Sequence, residues 1–426
     1  MSRAKRVVIS GIGPVCKLGI GKESFWDNLL QKKIEISSIP ESFDKNYRFK
    51  SRHYVPYPDF SLTDYGLSRK YIRLMGDTAK MAILSSLLAL KDAGLVIDGG
   101  SNITKNIKTN TEIILGVGVG NLFDAAKAYM THIFYDSPEI LSKHQLSKSF
   151  DRMCIPGVMH NSASAWVSII LGIKGANYTI NASCASGSYA IGQAFTRIKE
   201  GHTKMALTGG VECLKDGHGS IMRGFDSLGA LSRSVDGQPM PFSNDRSGFL
   251  YSDGAGCILL LEEMEMAIKR GAHIYAEIVN YKSNSDAYNI VQIDSEGQQI
   301  GKMIRDTIEN NSVDYFNTHG TGTVLNDKIE AELIQNIFGS KQNQPFINSS
   351  KGILGHTIGA SGALEIAITA LSIERSWIHG NLLKDPMDNL NLPVDSINTN
   401  VDYALSTSYG FGGHNAAILL KKFHPN

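Results

Sequence analysis

Cys184 lies in the run Asn181-Ala182-Ser183-Cys184-Ala185-Ser186-Gly187, and the pattern around it is one that can make a thiol reactive. Before it, Tyr178-Thr179-Ile180 reads as the end of a strand; after it, Ser188 to Lys199 carries Tyr189, Ile191, Phe195 and Ile198 near helical spacing. The cysteine is therefore predicted on a strand-to-helix turn, where free backbone N–H groups and the positive end of the helix favour thiolate over thiol. Small neighbours let a substrate approach the backbone, as in a nucleophile elbow. Taken alone, the stretch fits a small buried hydrophobic cysteine equally well.

Two histidines lie far along the chain in similar settings. Tyr315-Phe316-Asn317-Thr318-His319-Gly320-Thr321-Gly322-Thr323 places one just past a strand, and Asn348-Ser349-Ser350-Lys351-Gly352-Ile353-Leu354-Gly355-His356 places another before a helix. Each taken singly fits a structural histidine. Both stand at strand ends, where open α/β sheets gather ligands. A thiolate can take up an acyl group as a thioester, and two imidazole N–H donors can hold the enolate oxygen that forms when a malonyl-type thioester loses carbon dioxide. The carbanion then attacks the acyl-cysteine. Backbone N–H groups of Cys184 and of the loop Tyr409-Gly410-Phe411-Gly412-Gly413 are available for the tetrahedral oxyanion.

The elements that must position these groups alternate β and α. Val7-Val8-Ile9 is a strand running into Gly11 and Gly13, and Lys22 to Lys33 is an amphipathic helix. Residues 35–68, with Pro40, Pro56 and Pro58, read as an irregular covering insertion, and Arg69 to Ala93 as one long helix stopped by Gly94. Strands follow at Thr111 to Leu115, Met205 to Thr208, Cys257 to Leu261, Ala276 to Val279 and Val313 to Phe316, with helices at Gln298 to Asn310 and Asp327 to Phe338. Ala185-Ser186-Gly187 is echoed by Ala360-Ser361-Gly362, and the strand Gly254 to Glu262 by Gly412 to Lys421, which points to two similar halves; glycine-rich turns before helices also recur without duplication.

Other motifs fall short. Gly116-Val117-Gly118-Val119-Gly120 lacks dinucleotide-fingerprint spacing, and Gly19-Ile20-Gly21-Lys22 lacks the leading glycine and following hydroxyl of a phosphate loop. The five scattered cysteines form no C-x-x-C pair, so neither a disulfide framework nor a metal site is expected. A formal net charge of +1 points away from nucleic acid. The start shows no secretory apolar core, and the most apolar stretch, Met81 to Leu90, is too short to span a bilayer; a cytoplasmic protein without membrane insertion is expected.

With these loops in view, the chain resembles the β-ketoacyl-acyl carrier protein synthases, condensing enzymes of the thiolase fold. The resemblance covers nearly the whole length. It rests on Cys-Ala-Ser-Gly at Cys184, His-Gly-Thr-Gly-Thr at His319, Lys-x-x-x-Gly-His at Lys351 to His356, Pro-Phe-x-x-x-Arg-x-Gly-Phe at Pro241 to Phe249, and the terminal Gly410-Phe411-Gly412-Gly413. It implies an α/β, thiolase-like fold with a duplicated α/β/α/β/α five-layer architecture. Residues 1–265 would form the half with the nucleophile and covering insertions, and 266–426 the half with the histidines. It further implies Cys184 as acyl-accepting nucleophile, His319 and His356 as the decarboxylating and enolate-stabilising pair, and Lys351 as electrostatic organiser with Glu330 and Asp327. Phe411 and Gly412 would form the gate and oxyanion loop, while Val119, Phe225 and the region of Pro156 would line or border the acyl tunnel. No cofactor is implied, substrates being carried on the phosphopantetheine of acyl carrier protein.

Departures from neighbouring families narrow the expectation. A thiolase would carry a second cysteine in the C-terminal glycine loop, a starter synthase would have Asn at His356, and a chain-length factor would lack the nucleophile. Gly322 and Asn326-Asp327 stand where housekeeping fatty-acid enzymes usually read Ser and Gly-Asp. An elongating ketosynthase subunit of a type II polyketide or aryl-polyene system is expected, with fatty-acid elongation and a non-catalytic assembly subunit as alternatives. Its partners would be acyl carrier protein and either a second copy or a chain-length-factor-like subunit.

Overall fold

A computed structural model describes residues 4–45, 47–95, 105–123, 126 and 153–424. In the first half, strands β1 (Val7–Cys16), β2 (Thr111–Gly116), β3 (Asn177–Ile180), β4 (Met205–Cys213) and β5 (Gly254–Glu263) alternate with helices α1 (Lys22–Leu30), α2 (Asp77–Asp92), α3 (Ser162–Leu171) and α4 (Ser186–Lys199). The second half has β6 (Ala276–Ser285), β7 (Tyr315–Asn317), β8 (Phe346–Asn348), β9 (Tyr403–Gly410) and β10 (His414–Lys421), with α5 (Gln298–Ile308), α6 (Val324–Phe338) and α7 (Ser361–Arg375).

The two halves repeat one topology. The strand order is β3-β2-β4-β5-β1 in the first and β8-β7-β9-β10-β6 in the second, with the same parallel and antiparallel pairings at equivalent places. The echoed strands Gly254–Glu263 and His414–Lys421 occupy matching positions. Each half would leave β1 or β6 as an open edge, and the edges cover one another: Val7 stands opposite Ile278 and Ile9 opposite Ala276, making the two sheets continuous.

Layering follows from which faces are apolar. Strands buried on both sides, such as β5 with all ten residues buried, need helices on both faces. α2 and α3 cover the outer face of the first sheet in a core with Met81, Leu84, Trp166 and Leu260. α5 and α6 cover the second through Ile300, Ile304, Ile329 and Leu419. Between the sheets lie α4 and α7, their Ile191, Phe195, Leu364 and Ile368 in one core with residues of both sheets. Five layers result. The central helices meet where Gly187 and Gly362 remove side chains: a Cβ on Gly187 would sit 3.0 Å from Ala363 N, and one on Gly362 2.1 Å from Ser188 Oγ.

Two expectations are refined. The helix expected over 69–93 is a short turn at Arg69–Ile72 followed by α2 from Asp77, with Gly76 extended at the start of α2 and packed so closely on Asn121 that a Cβ would lie 2.8 Å from its Nδ2. Gly94 does end α2, at φ 69°. The insertion expected over 35–68 includes short strands Ser37–Ser38 and His53–Val55, which join Tyr251–Ser252 in a small sheet. Its Ile39, Phe43 and Phe49 are buried in the same cluster as Cys184. Among the described residues no helix is long and apolar enough to cross a membrane.

Candidate active site

Cys184 sits in a 3-10 turn, Ser183–Ala185, that feeds directly into α4. The turn is held by short-range bonds that its small polar residues make possible. Asn181 Oδ1 accepts from Ser183 N–H at 3.1 Å, and Ser186 Oγ accepts from Ala182 N–H at 2.9 Å while donating to Ser183 O at 2.6 Å. Ser183 takes φ 52°. The second half repeats the device: Ile358–Ala360 feeds α7, Ile358 has φ 47°, and Ser361 Oγ accepts from Thr357 N–H at 3.1 Å. In that copy Gly359 occupies the place of the cysteine. β9 delivers Gly410 onto the nucleophile turn, where a Cβ would lie 2.5 Å from Ala182 O and 3.2 Å from Cys184 N, so no larger residue fits without moving the turn.

Cys184 is nearly enclosed, at 5% exposure, with Ser183 Oγ 3.8 Å from its sulfur. Burial pushes the thiol up to about 11, outweighing the Ser183 hydroxyl, the Lys351 ammonium and the Phe411 N–H, which favour thiolate; the Glu212 carboxylate opposes it. This corrects the expectation of a resting thiolate. The helix end is present, but desolvation costs the charged form more than the nearby donors return.

His319 follows β7 and His356 follows the short helix Lys351–Leu354; both are buried, with ring centroids 5.6 Å apart and planes at 86°. Burial and the Lys351 charge hold both imidazoles well below the usual histidine range, and for His319 the second ring adds to the effect. Lys351 Nζ lies 3.3 Å from His319 Nδ1 and donates to His319 O at 2.7 Å. An ammonium only donates, so Nδ1 accepts and the proton is assigned to Nε2. His356 Nδ1 lies 2.9 Å from Ser361 Oγ, a hydroxyl that also accepts the Thr357 N–H at 3.1 Å and lies 3.1 Å from Thr357 Oγ1; with the Ser361 hydrogen turned toward Nδ1, the His356 proton is assigned to Nε2 as well. The result is two neutral imidazoles, each with an Nε2–H donor. Such a pair can stabilise a developing oxyanion without first losing a proton.

The expected supporting acids divide differently from the expectation. Glu330 accepts the His319 and Gly320 N–H groups at 2.8 and 2.7 Å, and its carboxyl is pushed up to about 7, chiefly by burial. Asp327 accepts from Gly322 N–H at 3.1 Å and Phe242 N–H at 2.8 Å, with Arg246 Nε 3.6 Å away, and so ties the Pro241 to Phe249 segment to the His319 loop. Neither is the ion-pair partner of Lys351. That partner is Glu365 on α7, buried at 1% exposure. Sequence reasoning missed it; the available signal is one acid inside the apolar run Ala363 to Ile373.

Phe411 lies at the turn between β9 and β10, with Gly412 at φ 86° and Gly413 at φ 76°. Its ring stands 6.5 Å from that of Phe225, which stands 5.7 Å from Phe249, and Phe249 meets His356 edge-on at 4.9 Å. Val119 and Phe225 pack, half-buried, against the apolar cluster that contains Cys184. Pro156 is exposed in the helix Cys154–Val158 and is not brought into that cluster. Among the described residues no group of His, Cys, Asp or Glu side chains is placed to hold a metal ion.

Comparison with known proteins agrees over the full length. A family model described as the β-ketoacyl synthase N-terminal domain matches residues 4–266, and one described as the C-terminal domain matches 275–383. The chain is 33% identical to 3-oxoacyl-[acyl-carrier-protein] synthase 2 of Staphylococcus aureus (strain COL), covering 99% of this chain and all of the relative. It is likewise 33% identical to 3-oxoacyl-[acyl-carrier-protein] synthase 1 of Buchnera aphidicola, over 98% of this chain and all of that one. Among solved structures, a β-ketoacyl synthase from Burkholderia phymatum superposes with TM-score 0.85 at 28% identity, covering 99% of this chain and 100% of that one. A ketosynthase in complex with its type II polyketide acyl-carrier protein superposes with TM-score 0.82 at 26% identity, with 99% and 100% covered. The ishigamide ketosynthase/chain length factor gives 0.84, also at 26%, with the same coverage.

Proposed function

The chain belongs to the β-ketoacyl synthase family of condensing acyltransferases, and from that premise we propose how its residues divide the reaction. The Cys184 thiol attacks the carbonyl of an acyl thioester carried on the phosphopantetheine of an acyl carrier protein. The Cys184 and Phe411 N–H groups hold the tetrahedral oxyanion, the new S–C bond forms, and the thiol proton leaves with the carrier thiol. A malonyl thioester then enters. Its carboxylate departs as carbon dioxide, and the electron pair left behind becomes an enolate whose oxygen lies between the Nε2–H groups of His319 and His356. The enolate carbon attacks the acyl carbonyl, the S–C bond breaks, and the departing thiolate takes up one proton from solvent, the net proton the decarboxylative condensation consumes. A resting thiol with a pKa of about 11 is the stable end state of that step.

The observation that carries this reading is the geometry of the two buried imidazoles, with ring centroids 5.6 Å apart, Nδ1 of His319 facing Lys351 and Nδ1 of His356 facing Ser361. Lys351 orders the site with Glu365, while Glu330 and Asp327 shape the His319 loop. His356→Ala is expected to leave acylation of Cys184 within about tenfold of wild type and to lower malonyl decarboxylation by at least about a hundredfold. Mass spectrometry of the acyl-enzyme and carbon dioxide release measure the two steps. Loss of acylation with decarboxylation intact would contradict the division.

The pathway reading is a ketosynthase subunit of a type II polyketide or aryl-polyene system. It is supported by Gly322 and Asn326-Asp327 and by the likeness to the ketosynthase of the type II polyketide complex and to the ishigamide ketosynthase/chain length factor. Fatty-acid elongation is the second reading, favoured by the full-length 33% identity to the two 3-oxoacyl synthases. In this account residues 1–265 and 266–426 act as two halves, with Val119 and Phe225 lining the acyl pocket. The active assembly is a dimer with a second copy or with a chain-length-factor-like subunit.

A further inference from the structure

β4 ends in a carboxylate that no step of the reaction employs. Glu212 is fully buried and accepts backbone N–H groups from four residues: Gly118 at 2.9 Å, Gly120 at 2.8 Å, Val119 at 3.1 and 3.2 Å to its two oxygens, and Gly359 at 3.1 Å. The first three belong to the loop after β2, whose Val119 packs beside the Cys184 cluster. The fourth lies in the turn that joins His356 to α7. These two backbones nearly touch: a Cβ on Gly359 would lie 2.4 Å from Gly118 N. Brought so close around one buried carboxylate, their N–H groups share an acceptor, and Glu212 supplies it.

We propose that Glu212 is a positioning residue, which fixes the Val119 wall of the acyl pocket against the turn after His356 and so sets which acyl chains Cys184 accepts. The inference rests on the ketosynthase reading of Cys184. A carboxylate offers about four lone-pair sites and matches its donors, whereas an amide of the same shape has one acceptor oxygen and turns an NH2 group toward backbone donors. Gly120 then loses its acceptor if the NH2 group replaces Oε1, or Gly118 and Gly359 lose theirs if it replaces Oε2, and the loop carrying Val119 shifts. A long acyl chain touches that wall and a short one does not, so the loss falls on long chains.

The test measures kcat/KM for acylation of Cys184 by a short and by a long acyl-carrier protein thioester, followed by intact-protein mass, in wild type, Glu212→Gln, Val119→Ala and the double variant. Glu212→Gln is expected to lower the long-to-short ratio about tenfold. In the Val119→Ala background most of that shift should vanish, because the effect travels through that side chain. An unchanged ratio, or an equal loss for both chains, overturns the inference. If the Gln variant does not fold, Glu212→Asp, which keeps the charge one methylene further back, is expected to shift the ratio the same way by less, and an unshifted ratio there overturns it. A wild-type protein that accepts no acyl thioester overturns the reading of Cys184, and this inference with it.

Discussion

Burial at Cys184 and at the two histidines acts in one direction on all three groups: it keeps each of them neutral. For the cysteine this has a measurable sign. Alkylation needs thiolate, and with a thiol pKa of about 11 the thiolate fraction rises about tenfold per pH unit across the neutral and mildly alkaline range. The labelling rate of Cys184 with iodoacetamide is therefore expected to climb from about pH 6 to pH 10 without levelling off. A plateau above about pH 7 would indicate a histidine-paired thiolate and contradict the neutral imidazoles. Cys184, His319 and His356 were legible in the sequence because reactive residues need small, glycine-rich surroundings, and those leave a mark along the chain. Glu365 and Glu212 were not. What makes a buried acid important is the group it meets: Glu365 meets Lys351 from the next helix of the chain, and Glu212 meets Gly118 and Gly359 across elements distant in sequence, and neither contact leaves a pattern along the chain.

At the scale of elements, the strand-to-helix turns and the apolar strands were readable from periodicity, and the break in the helix after Ile72 was not, because Gly76 answers to Asn121 rather than to its own neighbours. One surface also belongs to this scale. The helix Cys154–Val158, the residue that ends it and α3 leave Ile155, Met159 and Ile169 at 63, 51 and 61% exposure. In the dimer proposed above, this face is the candidate contact between subunits. Native mass spectrometry should find a dimer, either of the chain alone or with a co-produced ketosynthase-like partner, and Ile169→Lys should shift it to monomer, since a charge buried without a partner costs several kcal/mol, about 3 or more. A wild-type chain that stays monomeric in both settings would contradict the assignment.

Over the whole molecule, duplication explains why the site is divided. Two halves with one strand order meet edge to edge through β1 and β6 and back to back through α4 and α7. Each carries a tight turn into its inner helix, and in one that turn holds Cys184 while in the other it follows His356. The sequence echoes around Ser186 and Ser361 pointed to this arrangement, but the joining of the sheets did not show, because the pairing of Val7 with Ile278 leaves no periodic trace. In the proposed reaction a thiol from the first half and two imidazoles from the second carry out a single condensation. Its most direct test is to acylate the protein from an acyl-carrier protein, add malonyl-carrier protein, and follow the protein and both carriers by intact mass together with carbon dioxide release. The account predicts an acyl group on Cys184 that disappears as a β-ketoacyl chain forms on the second carrier with one carbon dioxide per chain, and no condensation in Cys184→Ala. Elongation by Cys184→Ala at the wild-type rate, or a wild-type acyl-enzyme that malonyl-carrier protein never discharges, would contradict it.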